Sequence, residues 1–237
     1  MNVYHTPQYQ DYRRRCAFVF SEEYRSTLPG KTEALSRGYS VRTDYYMGHL
    51  QYQIRAARHR LLDSGGQVVY TWDNLDCDGE FYRLFPHANG KHYLVFREDL
   101  YGYSVLEIET GEAMHYIPEK SWPLDGRQGE ETFLWTGAVY DPGTNLLAVS
   151  GCYWASTNDT LFLDFSRPLE EQGCERWLEM HKVVDPEYDL YDDIDLERFG
   201  EDGQLWFRAF SAVDGKRADF VLPAERILEL VREKHST

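Results

Sequence analysis

From Phe81 to Val221 the chain repeats one local grammar: an apolar strand, a turn built on Asn, Asp, Pro or Gly, and a second apolar strand. Each such turn lays the returning backbone beside the strand just left, so the pattern restricts the chain to antiparallel sheet made of neighbouring hairpins. The first instance is Phe81-Tyr82-Arg83-Leu84-Phe85, then Asn89-Gly90-Lys91, then Tyr93-Leu94-Val95-Phe96, with Asn-Gly supplying the positive φ angles of a tight hairpin. The second runs from Trp135 to Tyr140, turns through Asp141-Pro142-Gly143 and returns as Leu146 to Val149, with Gly143 expected to relieve the corner. In the third, Ile194 to Phe199 precedes Glu201-Asp202-Gly203 and Leu205-Trp206-Phe207.

Leu94, Leu147 and Trp206 occupy equivalent places in this pattern, at intervals of 53 and 59 residues. Each is followed by another strand candidate: Ser104 to Ile108, Leu161 to Phe165, and Phe220 to Leu222. A fourth unit precedes them, with Tyr39-Ser40-Val41, Gln51 to Arg58 and Gln67 to Tyr70. Units of this length made of short strands are the mark of propeller blades. The expected fold is therefore all-β and propeller-like, with about four blades, in one domain over residues 1–237 whose units span 1–75, 76–128, 129–184 and 185–237. A β-sandwich or irregular barrel is the alternative, since any meander gives strand, turn, strand. Helical spacing stands out only in Pro223 to Arg232, where Pro opens the segment and Ile227, Leu228 and Val231 form a stripe, so one C-terminal helix is expected.

The formal net charge of −15 excludes a phosphate-reading surface, which needs clustered Lys and Arg to release counterions. Arg13-Arg14-Arg15 and the run Arg55, Arg58, Arg60 are the basic concentrations, and they read as solvated faces. No apolar stretch reaches membrane-spanning length and no apolar signal core opens the chain, so a cytoplasmic protein without a membrane or nucleic-acid partner is expected. Cys16, Cys77, Cys152 and Cys174 are scattered, which suggests reduced, partly buried thiols rather than a disulfide framework or zinc ribbon.

Several constellations invite a chemical reading. Asn74, Asp76, Asp78 and Gly79 match the opening of a calcium loop, but the twelfth position, which should be Glu, is Phe85. The acidic run Asp185, Glu187, Asp189, Asp192, Asp193, Asp195 and Glu197 could gather around a cation, yet reads more simply as a solvated linker. His87 and His92 flank a turn and His115 lies on a nearby strand, without a third ligand at metal spacing. Ser150-Gly151 lacks the preceding glycine of a nucleophile elbow, and Cys152 has no evident His partner. Neither a metal, a cofactor nor a catalytic residue is assigned on this basis.

The segment Gly151 to Asp159 is the most unusual locally: a Gly and two large aromatics close one strand and polar turn residues lead into the next. Tyr153 and Trp154, with Trp135 and Tyr140, are the candidate binding residues, able to form an aromatic pocket for a peptide or sugar. The alternative is that Trp135 and Trp154 pack between sheets.

Two resemblances add to this reading. Gly48-His49 followed by Val68-Val69-Tyr70-Thr71-Trp72-Asp73 resembles a tryptophan-aspartate repeat, although the other units lack both dipeptides. The stretch from Gly79 to Pro168, with Tyr101-Gly102-Tyr103-Ser104-Val105-Leu106, Glu131 to Thr136 and Ala148 to Ala155, resembles bacterial propeller-like proteins of unknown function. That resemblance implies a fold and no activity. The expected function is a non-enzymatic binding or scaffolding module presenting loops and aromatic side chains to a protein or peptide partner, and the rival is a hydrolase with a carboxylate pair in a central cleft.

Overall fold

The computed structural model describes residues 1–49, 52–75, 80–154 and 156–236. Within them lie four antiparallel sheets, in each of which the strands follow one another in chain order. The first holds β1 (Lys31–Ala34), β2 (Ser40–His49), β3 (Gln53–Leu62) and β4 (Val68–Leu75), and the second β5 (Tyr82–Pro86), β6 (His92–Glu98), β7 (Gly102–Glu107) and β8 (Ala113–Tyr116). The third holds β9 (Leu134–Asp141), β10 (Leu146–Cys152), β11 (Asn158–Asp164) and β12 (Leu178–Glu179), and the fourth β13 (Tyr191–Phe199), β14 (Gln204–Ser211) and β15 (Phe220–Pro223). This is the expected propeller-like run of blade-sized meanders, and it is followed by the expected C-terminal helix, here α3 (Ala224–Ser236).

The chain forms two compact units, residues 1–86 with 91–130, and residues 87–90 with 131–237. The core of the first includes Val41, Leu61, Trp72, Tyr82, Leu94, Phe96 and Leu106. In the second, Leu146, Phe162 and Met180 meet Ile194, Leu205 and Phe207, and α3 covers them with Ile227 and Val231. Each of these larger side chains stabilises the fold by about 1.5–3 kcal/mol relative to exposure. Among the described residues no helix is long and apolar enough to cross a membrane.

The turns show where local chemistry decides. Gly90 and Gly203 carry φ angles of 85° and 74°, as their hairpins require. In the second hairpin the left-handed residue is Asn145, at φ 58°, and not Gly143. Asp141 explains the change: its Oδ2 accepts from the Thr144 backbone N–H at 2.9 Å and the Thr144 hydroxyl at 2.6 Å, and Asn tolerates the left-handed corner that follows. Trp206, equivalent to Leu94 and Leu147 in the repeat, differs from them in burial. Leu205 and Phe207 are buried, whereas Trp206 takes the opposite face of β14 and lies under the Arg198 guanidinium at 4.6 Å.

Two helices were not legible in the apolar pattern, α1 (Pro7–Cys16) and α2 (Met180–Val184). The first is mainly polar and is set by its start, where Thr6 accepts from the Tyr9 N–H at 3.4 Å and Pro7 holds the first helical position. The basic runs likewise differ from simple solvated faces. Arg14 and Arg15 are exposed, but Arg13 is turned inward, Arg58 pairs with Asp73 at 2.7 Å and Arg60 with Asp44.

Ser150-Gly151 forms a β-bulge rather than a nucleophile turn. Ser150 opposes Gly137 and Gly151 opposes Trp135, leaving Thr136 as the extra residue. A side chain at Gly151 would run into the Leu134 carbonyl and within 2.5 Å of Phe133 Cε1. Gly151→Ala is therefore expected to cost about 1–3 kcal/mol in urea denaturation, and a loss under about 0.5 kcal/mol would contradict this packing.

Candidate functional site

Two places gather the chemistry-bearing side chains, one in each compact unit. In the first unit, α1 projects Arg13 toward the junction of β6 and β7. Its Nη1 donates to Glu98 Oε1 at 3.2 Å and Asp99 Oδ1 at 2.9 Å, and its Nη2 donates to the Asp73 carbonyl at 2.8 Å. Glu98 ends β6 and is almost wholly buried, while Asp99 follows it in the left-handed region at φ 49°. Asp99 also accepts from the Leu75 N–H at 2.7 Å and from the Tyr9 hydroxyl. Glu98 Oε2 accepts from Ser104 Oγ at 2.7 Å and lies 3.2 Å from His115 Nδ1. The Tyr4 ring stacks on His115 at 4.3 Å, and a cavity of about 170 Å³ is bounded by Tyr4, Arg13, Tyr70, Asp73, Glu98 and His115.

The neighbouring carboxyls titrate in opposite directions. Burial opposes ionisation of both, but the hydrogen bond from His115 and the charge of Arg13 hold Glu98 below the usual carboxylate range. Burial and the repulsion of Glu98 push Asp99 up, against the pull of Arg13. Burial and the same Glu98 charge push the Tyr70 phenol up to about 12.

This arrangement does not make a nucleophile. Ser104 is fully buried, and its Oγ lies 2.8 Å from the same His115 nitrogen that faces Glu98, whereas a base and its orienting carboxylate must use opposite ring nitrogens. His115 Nε2 instead lies 3.5 Å from the Tyr70 hydroxyl. Each oxygen of Glu98 and Asp99 already accepts at least one hydrogen bond. The chemistry on offer is charge neutralisation inside a small polar cavity.

The second place is the end of the third sheet. Of the four aromatic candidates, Trp135 and Tyr140 lie in the interior. Trp135 is fully buried, edge-on to Trp177 at 5.9 Å, and the Tyr140 hydroxyl donates to Asn145 Oδ1 at 2.7 Å and accepts from the Ala88 N–H at 3.2 Å. Tyr153 and Trp154 stay at the lip. Tyr153 packs edge-on against Phe133 at 5.6 Å and lies near Glu179, and burial, then that carboxylate, push its phenol well up. Trp154 is 45% exposed. At the base of this turn, where Asn158 pairs with Cys152, Asp193 accepts from the Asn158 N–H at 2.7 Å and its charge reaches Cys152.

The acidic run is divided rather than gathered. Asp185 is buried and its carboxylate accepts from the N–H groups of Asp189, Leu190 and Tyr191 at 2.9–3.0 Å, which hold its titration below the usual range although burial opposes them. The remaining acids lie in the exposed loop and along β13. Among the described residues no group of three or more His, Cys, Asp or Glu could hold a metal ion. The calcium-like segment falls outside the described residues at Asp76, Asp78 and Gly79, while Asn74 is buried and donates to the Arg97 carbonyl at 3.1 Å. The histidines do not join one site: His87 bonds the Phe165 carbonyl at 2.8 Å, His92 pairs with Glu109, and His115 serves Glu98.

Sequence reasoning missed His181, which is buried against Asp159 at 3.3 Å and under Tyr188 at 4.9 Å between ring centres. It also missed Tyr188, which sits at φ 59°, a strained setting for a bulky side chain. Asp185-Pro186 was the available signal, since Asp before Pro favours a side-chain-capped turn.

No protein-family model matches this chain, and no curated protein matches it. Among solved structures it is similar to a tryptophan-to-alanine variant of the apocarotenoid oxygenase of Synechocystis, at 9% identity and a TM-score of 0.36, over 89% of this chain and 50% of that one. The chain thus spans about half the length of that protein, and at this TM-score none of the oxygenase's chemistry is carried to it.

Proposed function

We propose that this chain is a non-enzymatic binding module whose contact surface is the Tyr153-Trp154 lip, and that its partner is a peptide segment carrying Lys or Arg. The observations that support it are the exposed Trp154 indole and the Asp193 carboxylate that accepts from Asn158 at the base of the same turn. An exposed indole attracts a cation to its ring face, and a carboxylate at the base of its turn adds to the attraction for positive charge. Partly buried Tyr153, packed edge-on against Phe133, gives that contact a rigid base. A carboxylate-pair hydrolase has less support, because Glu98 and Asp99 spend their acceptors on Arg13, Ser104, Tyr9 and a backbone N–H.

Titration with arginine-containing peptides, followed by Trp fluorescence and calorimetry, tests the reading. Trp154→Ala is expected to weaken binding at least about tenfold while leaving the melting transition in place, since its side chain is at the surface. Equal affinity of the variant and the parent chain, or no preference for cationic over neutral peptides, would overturn it.

A further inference from the structure

An open groove of about 510 Å³ runs between α2 and α3 in the second unit. Leu178, Val183, Leu222 and Leu230 give it an apolar floor. Its rim carries Lys182, Arg226 and Lys234 against one carboxylate, Glu179, an excess of positive charge on a chain whose net charge is −15. Arg226 and Lys234 stand eight residues apart on α3 with Leu230 midway, so one edge of the helix brings both charges to the groove. Arg226 pairs with the equally exposed Glu229, and such surface pairs exchange partners at little cost, whereas Lys182 is held by the largely buried Glu179 and Lys234 donates to the Trp177 carbonyl at 2.8 Å.

The complement of this groove is presented by the same unit. Just beyond α2, Tyr188 and Leu190 are 51% and 55% exposed, and the exposed acids Glu187, Asp189 and Asp192 flank them. The loop is preorganised, because Asp185 holds three of its N–H groups and Tyr188 rests on His181.

We propose that the occupant is a second copy of this chain, in a two-fold dimer where the Glu187 to Asp192 loop of each copy lies in the α2–α3 groove of the other. A patch that carries both an apolar acidic ridge and an apolar basic groove is self-complementary, which is what a two-fold contact requires. Leu190 and Tyr188 enter the floor, and the loop carboxylates meet Lys182, Arg226 and Lys234 of the facing copy.

Sedimentation equilibrium of the full chain, from about 1 to 200 μM, tests this. A concentration-dependent dimer is expected, and a monomer throughout overturns the proposal. Two variants sharpen the test: Arg226→Glu reverses the exposed corner of the rim, and Glu187→Lys with Asp189→Lys reverses the loop. All three positions are exposed and Arg226 pairs with an exposed partner, so both variants should melt as the parent does. Each alone is expected to weaken dimerisation at least about tenfold. An equimolar mixture should restore it, because both contacts of the mixed dimer are then complementary. Dimers that survive either reversal, or that fail to return on mixing, would overturn the reciprocal contact.

Discussion

Arg13→Met is expected to destabilise the first unit by about 3–5 kcal/mol, the range for removing one member of a buried charge group and stranding the rest. The guanidinium stands between Glu98 and Asp99 at 3.2 and 2.9 Å, and both carboxyls lie largely out of solvent. Without it, two adjacent acids face each other with His115 as the remaining neighbour able to carry positive charge. Urea denaturation at neutral pH reads the loss. Asp99→Asn in the Arg13→Met background should recover part of it, because one of the stranded charges is then absent. A loss below about 1 kcal/mol, or no recovery in the double variant, would show that the cluster is not held together by this cation.

His59→Gln is expected to change how stability responds to acid. His59 is buried between the Thr43 hydroxyl, 2.9 Å from its Nδ1, and the face of Trp72 at 4.8 Å. Burial, and then the charges of Lys31 and Arg97, push its pKa from 6.5 down to about 3. The unfolded chain therefore takes a proton below pH 6.5 that the folded chain refuses. Stability from the neutral imidazole is complete above that pH and is lost as pH falls, by about 1.4 kcal/mol per unit, until the folded pKa is reached. Replacement by Gln removes this proton from the balance and adds a packing cost that does not vary with pH. The difference in unfolding free energy between the two proteins should thus shrink or reverse from pH 7 to pH 4. A constant difference across that range would contradict a buried neutral His59.

The β architecture was legible because the signals were local and redundant. Asn89-Gly90 and Asp202-Gly203 each sit at a corner needing positive φ, and the apolar runs on either side pair in the register those turns dictate. Asp141-Pro142-Gly143 marked a turn correctly but not its left-handed residue, because the deciding bond is from Thr144 to Asp141 and not the flexibility of Gly143. α1 escaped notice since it buries little apolar surface and is placed by Tyr9 and Arg13 reaching acids some 85–90 residues away. No spacing rule encodes such contacts. The candidate sites divide the same way: Tyr153 and Trp154 were marked by their local composition, whereas Glu98, Asp99 and His181 derive their character from burial, which composition does not record.

The distance in chain between Arg13 and its acids has a consequence for synthesis. α1 leaves the ribosome well before β6 exists, and its anchors, Glu98 and Asp99, arrive 85 and 86 residues later. During that delay this mostly polar segment of 10 residues is too short to hold a helix alone and offers nascent neighbours little to stick to, which suits a segment that must idle in water. Docking then comes as a late step, so weakening it should hasten departure from the native state more than it slows arrival.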